Sequence, residues 1–435
     1  MSADGAAADA RSYGRGAAVL SVGIGVTGLV TFAYFALASR SLPENEYGHI
    51  TLLWSAVFIT VSVLYRPVEQ LLSRTIADRD ARGVEGGEHL RVAATIQLAL
   101  GGLFAAVALA LRGPIEDDLL GGSSTLYWIL IATVLAYAAS YFARGFLAGH
   151  HRFGLYGGLV LMEASSRCLF ALAVAVGVAE GQDVVALGML AAPIVSLAVV
   201  PWALGRRLRD MPAVAPEAED ADQAIEPQFT LAHGGSFAVA VLMIMLSEQT
   251  FLNAGPLLVE AGEGARGAAL AGFTFNVLLI ARAPLQLFQA VQTSILPHLT
   301  RLRASGESDP FRQSVNLTLG AIAAFAACVA LVMLAVGPLL MDVVFGGDFD
   351  YERGGLVLVS VGMGLYLSAA TFNQALLAHG RAPQAAAAWA LCAAGFALFL
   401  LLVDSDDRIL QVELAFVGAA AALSLLLGLM YRRSG

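Results

Sequence analysis

Twelve long apolar segments, separated by short polar stretches, run along almost the whole chain. They lie at approximately 17–39, 49–65, 90–111, 124–142, 157–178, 184–204, 231–254, 267–290, 314–340, 354–377, 382–403 and 410–431. Each is long enough, or nearly so, to cross roughly 30 Å of hydrocarbon as a helix. Because backbone groups in lipid must pair within the protein, and these runs are too long for barrel strands, the pattern predicts about twelve transmembrane helices.

The composition supports a membrane protein and excludes an ordinary soluble domain. Of the 435 residues, 58% are hydrophobic and only 14% are charged, and the mean hydropathy is +0.73. Soluble globular chains carry about 25% charged residues. The predicted fold class is therefore all-α and integral to the membrane.

The positions of the arginines predict the orientation of the helices. All 25 basic residues are arginines. With the N terminus inside, eighteen of them fall in cytoplasmic segments, five in outer segments, and Arg167 and Arg282 within helices. Because basic residues are enriched in cytoplasmic loops, this distribution predicts that both termini are cytoplasmic.

The predicted helices fall into two halves around a polar linker. We expect a disordered cytoplasmic N terminus at 1–16, a six-helix bundle at 17–204, a cytoplasmic linker at 205–230 and a second six-helix bundle at 231–435. Residues 66–70 and 282–286 are weakly similar. Such parallel repeats predict two bundles related by a pseudo-two-fold axis along the membrane normal, with a cavity between them.

The chain carries no sequence motif for catalysis, for a cofactor or for a structural metal. Residues 23–28 match the glycine pattern of dinucleotide-binding proteins, but they lie inside the first apolar segment. There, small residues serve close helix packing instead. The three cysteines also lie in apolar runs. We therefore expect neither an enzyme nor a bound cofactor.

Ionisable residues inside the apolar segments are the candidates for a functional site. A charge at the bilayer centre costs about 2.5–3.5 kcal/mol on insertion scales, so such groups usually face a cavity or a partner. Arg282 lies near the middle of the eighth segment, with Asn276 and Gln286 at roughly helical spacing. This polar stripe predicts a wet cavity that binds an anion. The alternative is an ion pair between helices.

Further charged residues lie within other predicted helices. Arg66, beside Pro67, either contacts substrate or reaches towards lipid headgroups. Glu163 and Arg167 are four residues apart, so they can form a structural salt bridge or a pair that opens to receive phosphate. Glu248 has three open interpretations, which are ion coupling, substrate contact and an ion pair.

Several segments resemble bacterial polysaccharide flippases. Residues 42–48 are similar to the Leu-Gly-Pro-x-x-Tyr-Gly turn after the first helix of those proteins, although the glycine between Leu42 and Pro43 is missing. Residues 144–149 resemble their loop between helices four and five, and Glu248 lies where they often place aspartate. In the order and spacing of these segments, the chain resembles the lipid-linked oligosaccharide flippases of the multidrug/oligosaccharidyl-lipid/polysaccharide exporter superfamily.

The resemblance implies a site, a substrate and partners. The cationic cavity of the superfamily maps onto Arg66, Arg167 and Arg282. The implied activity moves an undecaprenyl-pyrophosphate-linked oligosaccharide from the inner to the outer leaflet of the cytoplasmic membrane, for a surface polysaccharide such as O-antigen. The implied partners are that polyprenyl-pyrophosphate-linked glycan, the lipid bilayer, a polysaccharide polymerase and glycosyltransferases, with no nucleic acid.

Two other functions stay open on the sequence alone. A cation-coupled multidrug antiporter of the same superfamily would favour an acidic cavity, whereas the charges within these helices have both signs. A membrane scaffold or regulator with this fold and no transport is the third interpretation. The polar stripe around Arg282 argues against it only weakly.

Overall fold

The protein is described by a computed structural model. It describes residues 23, 25–82, 87–150, 152–198, 231–263, 267–280, 308–346, 351–403 and 405–433. Within these ranges every regular element is a helix. The predicted disordered N terminus at 1–16 and the predicted linker at 205–230 both lie outside the described residues.

Seven helices are described in the first half of the chain. They are α1 (25–41), α2 (Glu44–Leu64), α3 (Arg66–Arg82), α4 (Glu88–Ala110), α5 (Ser124–Gly149), α6 (Phe153–Ala175) and α7 (Gln182–Ser196). A short π-helical turn, Pro114–Leu119, connects α4 to α5. Helices α2 and α3 form one nearly continuous membrane span.

Six helices are described in the second half. They are α8 (Leu231–Glu263), α9 (Gly267–Ile280), α10 (Ser308–Phe345), α11 (Arg353–Ala378), α12 (Ala382–Leu402) and α13 (Arg408–Arg432). Each of the twelve predicted segments overlaps a described helix, with parts of 17–39, 184–204 and 267–290 outside the described residues. The all-α membrane fold of about twelve helices is confirmed. Among the described residues, nine spans are long and apolar enough to cross a bilayer, and α7 and α9 are shorter apolar helices.

The helices pack mainly within their own half of the chain. In the first half α5 packs against α3 and α7, and α6 packs against α7. In the second half α11 packs against α10 and α13, and α12 packs against α8. The main contact between the halves runs from α2 to α8. The architecture therefore has the two predicted lobes, while the membrane orientation and the boundaries at 17–204 and 231–435 stay predictions.

The second membrane span bends where α2 meets α3. Tyr65 forms a turn whose N–H still donates to the carbonyl of Val61 at 2.9 Å. Pro67 has no N–H, which removes one backbone hydrogen bond at this point and permits a change of direction. The helix then continues to Arg82 through residues that the sequence pattern assigns to a cytoplasmic loop.

The two lobes meet closely at the ends that the arginine distribution places outside. The Tyr47 hydroxyl of α2 donates to the amide oxygen of Asn276 in α9, and the Asn276 amide donates to the Tyr351 hydroxyl at 3.1 Å. Gly48 makes this approach sterically allowed, because a Cβ added there would lie 1.8 Å from the carbonyl oxygen of Ala268. We call Tyr47, Asn276 and Tyr351 the outer contact.

Helix α10 is the most exposed of the described spans. It has 38 residues, and only 11% of its most apolar stretch is buried. Large side chains such as Leu317, Leu331 and Leu339 are exposed along it. A surface of this size and polarity suits the acyl chains of a bilayer and not water.

Candidate functional site

A polar cavity lies between the first lobe and α8. It encloses about 260 Å³. The residues that line it come from six helices, α1, α2, α3, α5, α6 and α8: Thr27, Thr31, Trp54, Phe58, Ser62, Arg66, Glu69, Tyr141, Arg144, Tyr156, Val160, Glu163, Arg167, Gln249, Leu252 and Asn253. Three arginines and two glutamates are among them, which is an unusual charge density at membrane depth.

Two residues of opposite charge in the cavity wall form an ion pair with each other. Arg144 of α5 forms an ion pair with Glu163 of α6, which is 2% exposed at its side chain. The hydroxyls of Ser140 and Ser196 also donate to the Glu163 carboxylate. Glu163 therefore pairs across helices with Arg144. The salt bridge that its spacing suggested with Arg167 does not form among the described residues.

Arg167 lines this cavity and forms no ion pair with a carboxylate of the described residues. It is 4% exposed. One guanidinium nitrogen donates to the Tyr137 hydroxyl at 2.7 Å, and Nε has no hydrogen-bond partner among the described residues. The guanidinium lies over the rings of Trp54 and Phe58, 5.0 and 5.7 Å from their centroids. The aromatic faces hold the cation in place and partly compensate its charge, but they leave it able to bind an anion.

Arg66 lies on the same cavity, at the bend between α2 and α3. It makes no direct ion pair with a described residue, but its charge interacts with Glu248 of α8 and, less strongly, with Glu69. Glu69 accepts a hydrogen bond of 2.8 Å from the Tyr156 hydroxyl. Arg66 is therefore balanced at longer range by two carboxylates.

The remaining predicted site residues are placed differently. Asn276 is completely buried in the outer contact and does not line the cavity. Arg282 and Gln286 lie outside the described residues. Glu248 is half-buried on α8, next to the cavity residue Gln249, and close to Arg66 and Tyr366.

Several cavity residues were not identified from the sequence pattern. Arg144 was assigned to a cytoplasmic loop because the fourth apolar run ends near residue 142, but α5 continues to Gly149 and carries Arg144 into the cavity wall. Trp54 and Phe58 are one turn apart and stack at 4.0 Å. Their spacing is that of any apolar helix face, so it gave no signal of a site.

No group of three His, Cys, Asp or Glu side chains among the described residues is arranged to hold a metal ion. The three cysteines are present as free thiols. The chemistry that the cavity offers is therefore recognition of charge and of polar groups by arginine, aromatic and amide side chains.

Comparisons with known proteins identify the fold. No protein-family model matches the chain, and no curated protein matches it significantly. Solved structures do match over nearly the whole length. A mutant of the Vibrio cholerae MATE transporter VcmN is similar with a TM-score of 0.63 and 17% identity, covering 97% of this chain and 98% of that one.

Two further solved structures give the same result. An inward-facing multidrug resistance MATE family transporter of the MOP superfamily matches with a TM-score of 0.65 and 13% identity, over 96% of this chain and 97% of that one. The eukaryotic MATE transporter AtDTX14 matches with a TM-score of 0.65 and 14% identity, over 98% and 97%. The chain therefore has the multi-pass fold of MATE transporters, which are not enzymes. Identities this low establish the fold and not the substrate.

Proposed function

We propose that the protein is an alternating-access transporter of the cytoplasmic membrane that moves an undecaprenyl-pyrophosphate-linked oligosaccharide from the inner to the outer leaflet. The observation that supports this proposal is Arg167, a buried cation on a cavity between the lobes that forms no ion pair with a carboxylate of the described residues. The fold supports the transport step, and the charge of Arg167 supports an anionic group on the substrate.

Pyrophosphate suits this cavity for physical reasons. A guanidinium remains charged when buried and binds two phosphate oxygens at once in its planar fork. Arg66 offers a second cation on the same cavity. Gln249 and Asn253 of α8 supply amides that can hydrogen-bond to sugar hydroxyls next to the pyrophosphate. The cavity of about 260 Å³ is smaller than the roughly 300–1,000 Å³ of a typical ligand pocket, so in the described conformation it holds the pyrophosphate end of the substrate, while the rest of the oligosaccharide and the polyprenyl chain lie outside it.

The outer contact closes the path from the cavity to the outer leaflet. In the described conformation Tyr47, Asn276 and Tyr351 connect the lobes on the predicted outer side. Release to the outer leaflet requires these hydrogen bonds to break as the lobes separate. A membrane potential that is negative inside assists the outward movement of an anion by about 2.3 kcal/mol per charge per 100 mV, so ion coupling is not required.

A second candidate function is a cation-coupled multidrug antiporter. One of the solved structures of similar fold is named a multidrug resistance transporter, and this name favours the antiporter more directly than it favours glycan flipping. Glu69 and Glu248 are the carboxylates near the cavity that would attract an organic cation or carry a coupling ion. On this proposal Glu248 exchanges its interaction with Arg66 for one with the coupling ion.

The two candidates differ in the charge of the ligand, so a binding measurement separates them. Purified full-length protein in nanodiscs is titrated with undecaprenyl pyrophosphate, with uncharged undecaprenol as the lipid control, and with the cationic dye ethidium. The flippase proposal expects saturable binding of undecaprenyl pyrophosphate, at least tenfold tighter than undecaprenol. If ethidium binds more tightly than undecaprenyl pyrophosphate, and Glu248→Gln loses that binding, the result contradicts the flippase proposal and supports the antiporter.

The transport step is tested separately in a deletion strain. Without the gene, lipid-linked oligosaccharide is expected to accumulate on the cytoplasmic leaflet while surface polysaccharide is lost, and the wild-type gene is expected to restore both. Unchanged amounts of lipid-linked and surface glycan in the deletion strain would contradict the proposal.

Substitution of Gly48 is expected to open the outer side. In Gly48→Ala the new methyl group meets the backbone of Ala268 and α2 has to move away from α9. Overpacking of this kind costs about 1–3 kcal/mol, which shifts a two-state equilibrium roughly 5–150-fold. Spin labels at Ser124 and Arg353, both exposed and in opposite lobes, should report longer distances by double electron–electron resonance.

The matched control for that experiment is Gly102→Ala. Gly102 lies on α4, where an added Cβ meets nothing within 4 Å. Its distance distribution should equal that of the wild type. If Gly48→Ala also leaves the distribution unchanged, α2 and α9 do not form the barrier on the outer side.

A further inference from the structure

A second connection between the lobes lies where α1 ends, on the predicted outer side. The last turn of α1, in the first lobe, meets the last turn of α10, in the second lobe. Ser39 and Arg40 supply the polar side chains of this contact, and their partners lie more than 300 residues further along the chain. A contact of this kind connects the two lobes directly.

The side chains of Ser39 and Arg40 cap the end of α10. The last four carbonyl groups of an α-helix lack the partners that the interior carbonyls have, and in α10 they belong to residues 342–345. The Arg40 guanidinium donates to the carbonyls of residues 342, 343 and 344, with nitrogen–oxygen distances of 3.3 Å at 342 and 3.1 Å at 344. The Ser39 hydroxyl donates to the carbonyl of residue 345 at 2.6 Å. Each of the four carbonyls therefore has a donor from the other lobe.

The C-terminal ends of two helices converge on the Arg40 guanidinium. Arg40 belongs to the last turn of α1 and reaches over the last turn of α10. The C-terminal end of a helix carries partial negative charge, so a cation stabilises it. Arg40 forms no ion pair with a carboxylate of the described residues. Its charge therefore acts on both helix ends, which without it would bring two partial negative charges together.

The end of α10 also has the shape to receive this side chain. Gly346 has a φ of 74°, in the left-handed region that ends a helix, and its N–H donates to the carbonyl of residue 342 at 2.8 Å. A Cβ added to Gly346 would lie 3.2 Å from Cγ of Arg40, so the glycine leaves room for the arginine stem. Beside it the rings of Phe32 and Phe345 pack edge to face, with their centroids 5.5 Å apart.

We propose that Ser39 and Arg40 of α1, together with the carbonyls of residues 342–345 of α10, form a latch that holds the lobes closed on the outer side. We call this set the outer latch. When the lobes separate, the four carbonyls lose their donors and become exposed to water, so the outer latch has to open in each cycle of transport. The inference rests on the alternating movement in the proposed function, and not on the substrate.

The outer latch differs from the outer contact in its helices and in its chemistry. The outer contact connects α2 to α9 through neutral, buried side chains. The outer latch connects α1 to α10 through a cation, and Arg40 is exposed. Water can replace the donors of exposed carbonyls, so the outer latch opens at a modest cost. Because its acceptors are backbone groups, its strength depends on Arg40 and not on any side chain of α10.

The test measures the conformation and the end of α10 separately, on purified full-length protein without substrate. Spin labels are placed at Ser124 and Arg353, both exposed and in opposite lobes, after the three native cysteines are replaced by alanine. Double electron–electron resonance then gives the ratio of open to closed molecules. Hydrogen exchange of residues 339–346 reports how firmly the end of α10 is capped.

Arg40→Gln should raise the ratio of open to closed molecules and speed exchange at the end of α10. The expected change in the ratio is about two- to fivefold, the effect of a cation at a helix C terminus. Arg40→Lys keeps the charge but reaches fewer carbonyls, so its ratio should lie between those of the wild type and Arg40→Gln.

Arg112→Gln is the matched control for these variants. Arg112 is also an exposed arginine on the predicted outer side, but it pairs with Glu116 within the first lobe. Both the distance distribution and the exchange of residues 339–346 should equal those of the wild type.

Two results would overturn the proposal. If Arg40→Gln speeds exchange at the end of α10 but leaves the distance distribution unchanged, Arg40 caps the helix without holding the lobes together. If Arg40→Gln changes neither quantity, or Arg112→Gln changes the distances equally, the contact has no specific role in closing the outer side. Because no substrate is present, these results are independent of the titration with undecaprenyl pyrophosphate, whose failure would contradict the flippase and leave the outer latch standing.

Discussion

Replacement of Arg167 by glutamine should abolish binding of undecaprenyl pyrophosphate and should not disturb the fold. The guanidinium lines the cavity without an ion pair to a described carboxylate, and each hydrogen bond to a charged group contributes about 1.5–3 kcal/mol. Loss of one such bond corresponds to roughly 10–150-fold in affinity, and loss of a bidentate contact to more. The measurement is the nanodisc titration with undecaprenyl pyrophosphate, followed by complementation of the deletion strain.

Two other substitutions show whether charge or geometry is responsible. Arg167→Lys keeps the charge but loses the planar fork, so its affinity should lie between those of the wild type and Arg167→Gln. Arg112→Gln is the matched control, because Arg112 is 51% exposed at its side chain and pairs with Glu116 outside the cavity. If Arg167→Gln binds undecaprenyl pyrophosphate as tightly as the wild type, and Arg112→Gln loses affinity instead, the anion site lies elsewhere.

Replacement of Arg144 by methionine should destabilise the first lobe strongly. It leaves Glu163 buried with two serine hydroxyls and without its cation. Removing one partner from a buried ion pair typically costs about 3–5 kcal/mol, because the remaining charge stays desolvated. Reversible unfolding in mixed micelles, monitored by tryptophan fluorescence, measures the change in the free energy of unfolding.

The double variant Arg144→Met with Glu163→Gln tests the reason for that loss. It removes the stranded charge as well, so most of the lost stability should return. Arg91→Met is the matched control, since Arg91 is exposed on α4 and outside the cavity. A double variant that is no more stable than Arg144→Met would show that the contribution of Arg144 is packing and not charge pairing.

The helices were predictable from sequence because each must satisfy its own backbone in lipid. A run of about twenty apolar residues has few alternatives to a transmembrane helix, so α4, α12 and α13 fall where hydropathy places them. Hydropathy identifies polar helices less well. Most of α3, which leaves the apolar region after the bend at Pro67, has the composition of a loop and was assigned to one.

The site was predictable only in part, because hydropathy finds a charge within a helix but does not give its direction. Arg66 and Arg167 both line the cavity, whereas Asn276 points to the outer contact on another face. The spacing of Glu163 and Arg167 permits an intrahelical pair, but Arg144 from α5 reaches Glu163 instead. Contacts between helices depend on rotation and crossing, and no local pattern encodes them.

The length of α10 should make the protein sensitive to bilayer thickness. At 1.5 Å per residue its 38 residues extend about 57 Å, nearly twice the roughly 30 Å of a hydrocarbon core. A helix of this length, with most of its apolar surface facing outward, has to tilt or thicken the lipid around it. Because α10 packs on α11, its tilt is transmitted to the second lobe. The acyl-chain length of the surrounding lipids should therefore influence how the second lobe is positioned against the first.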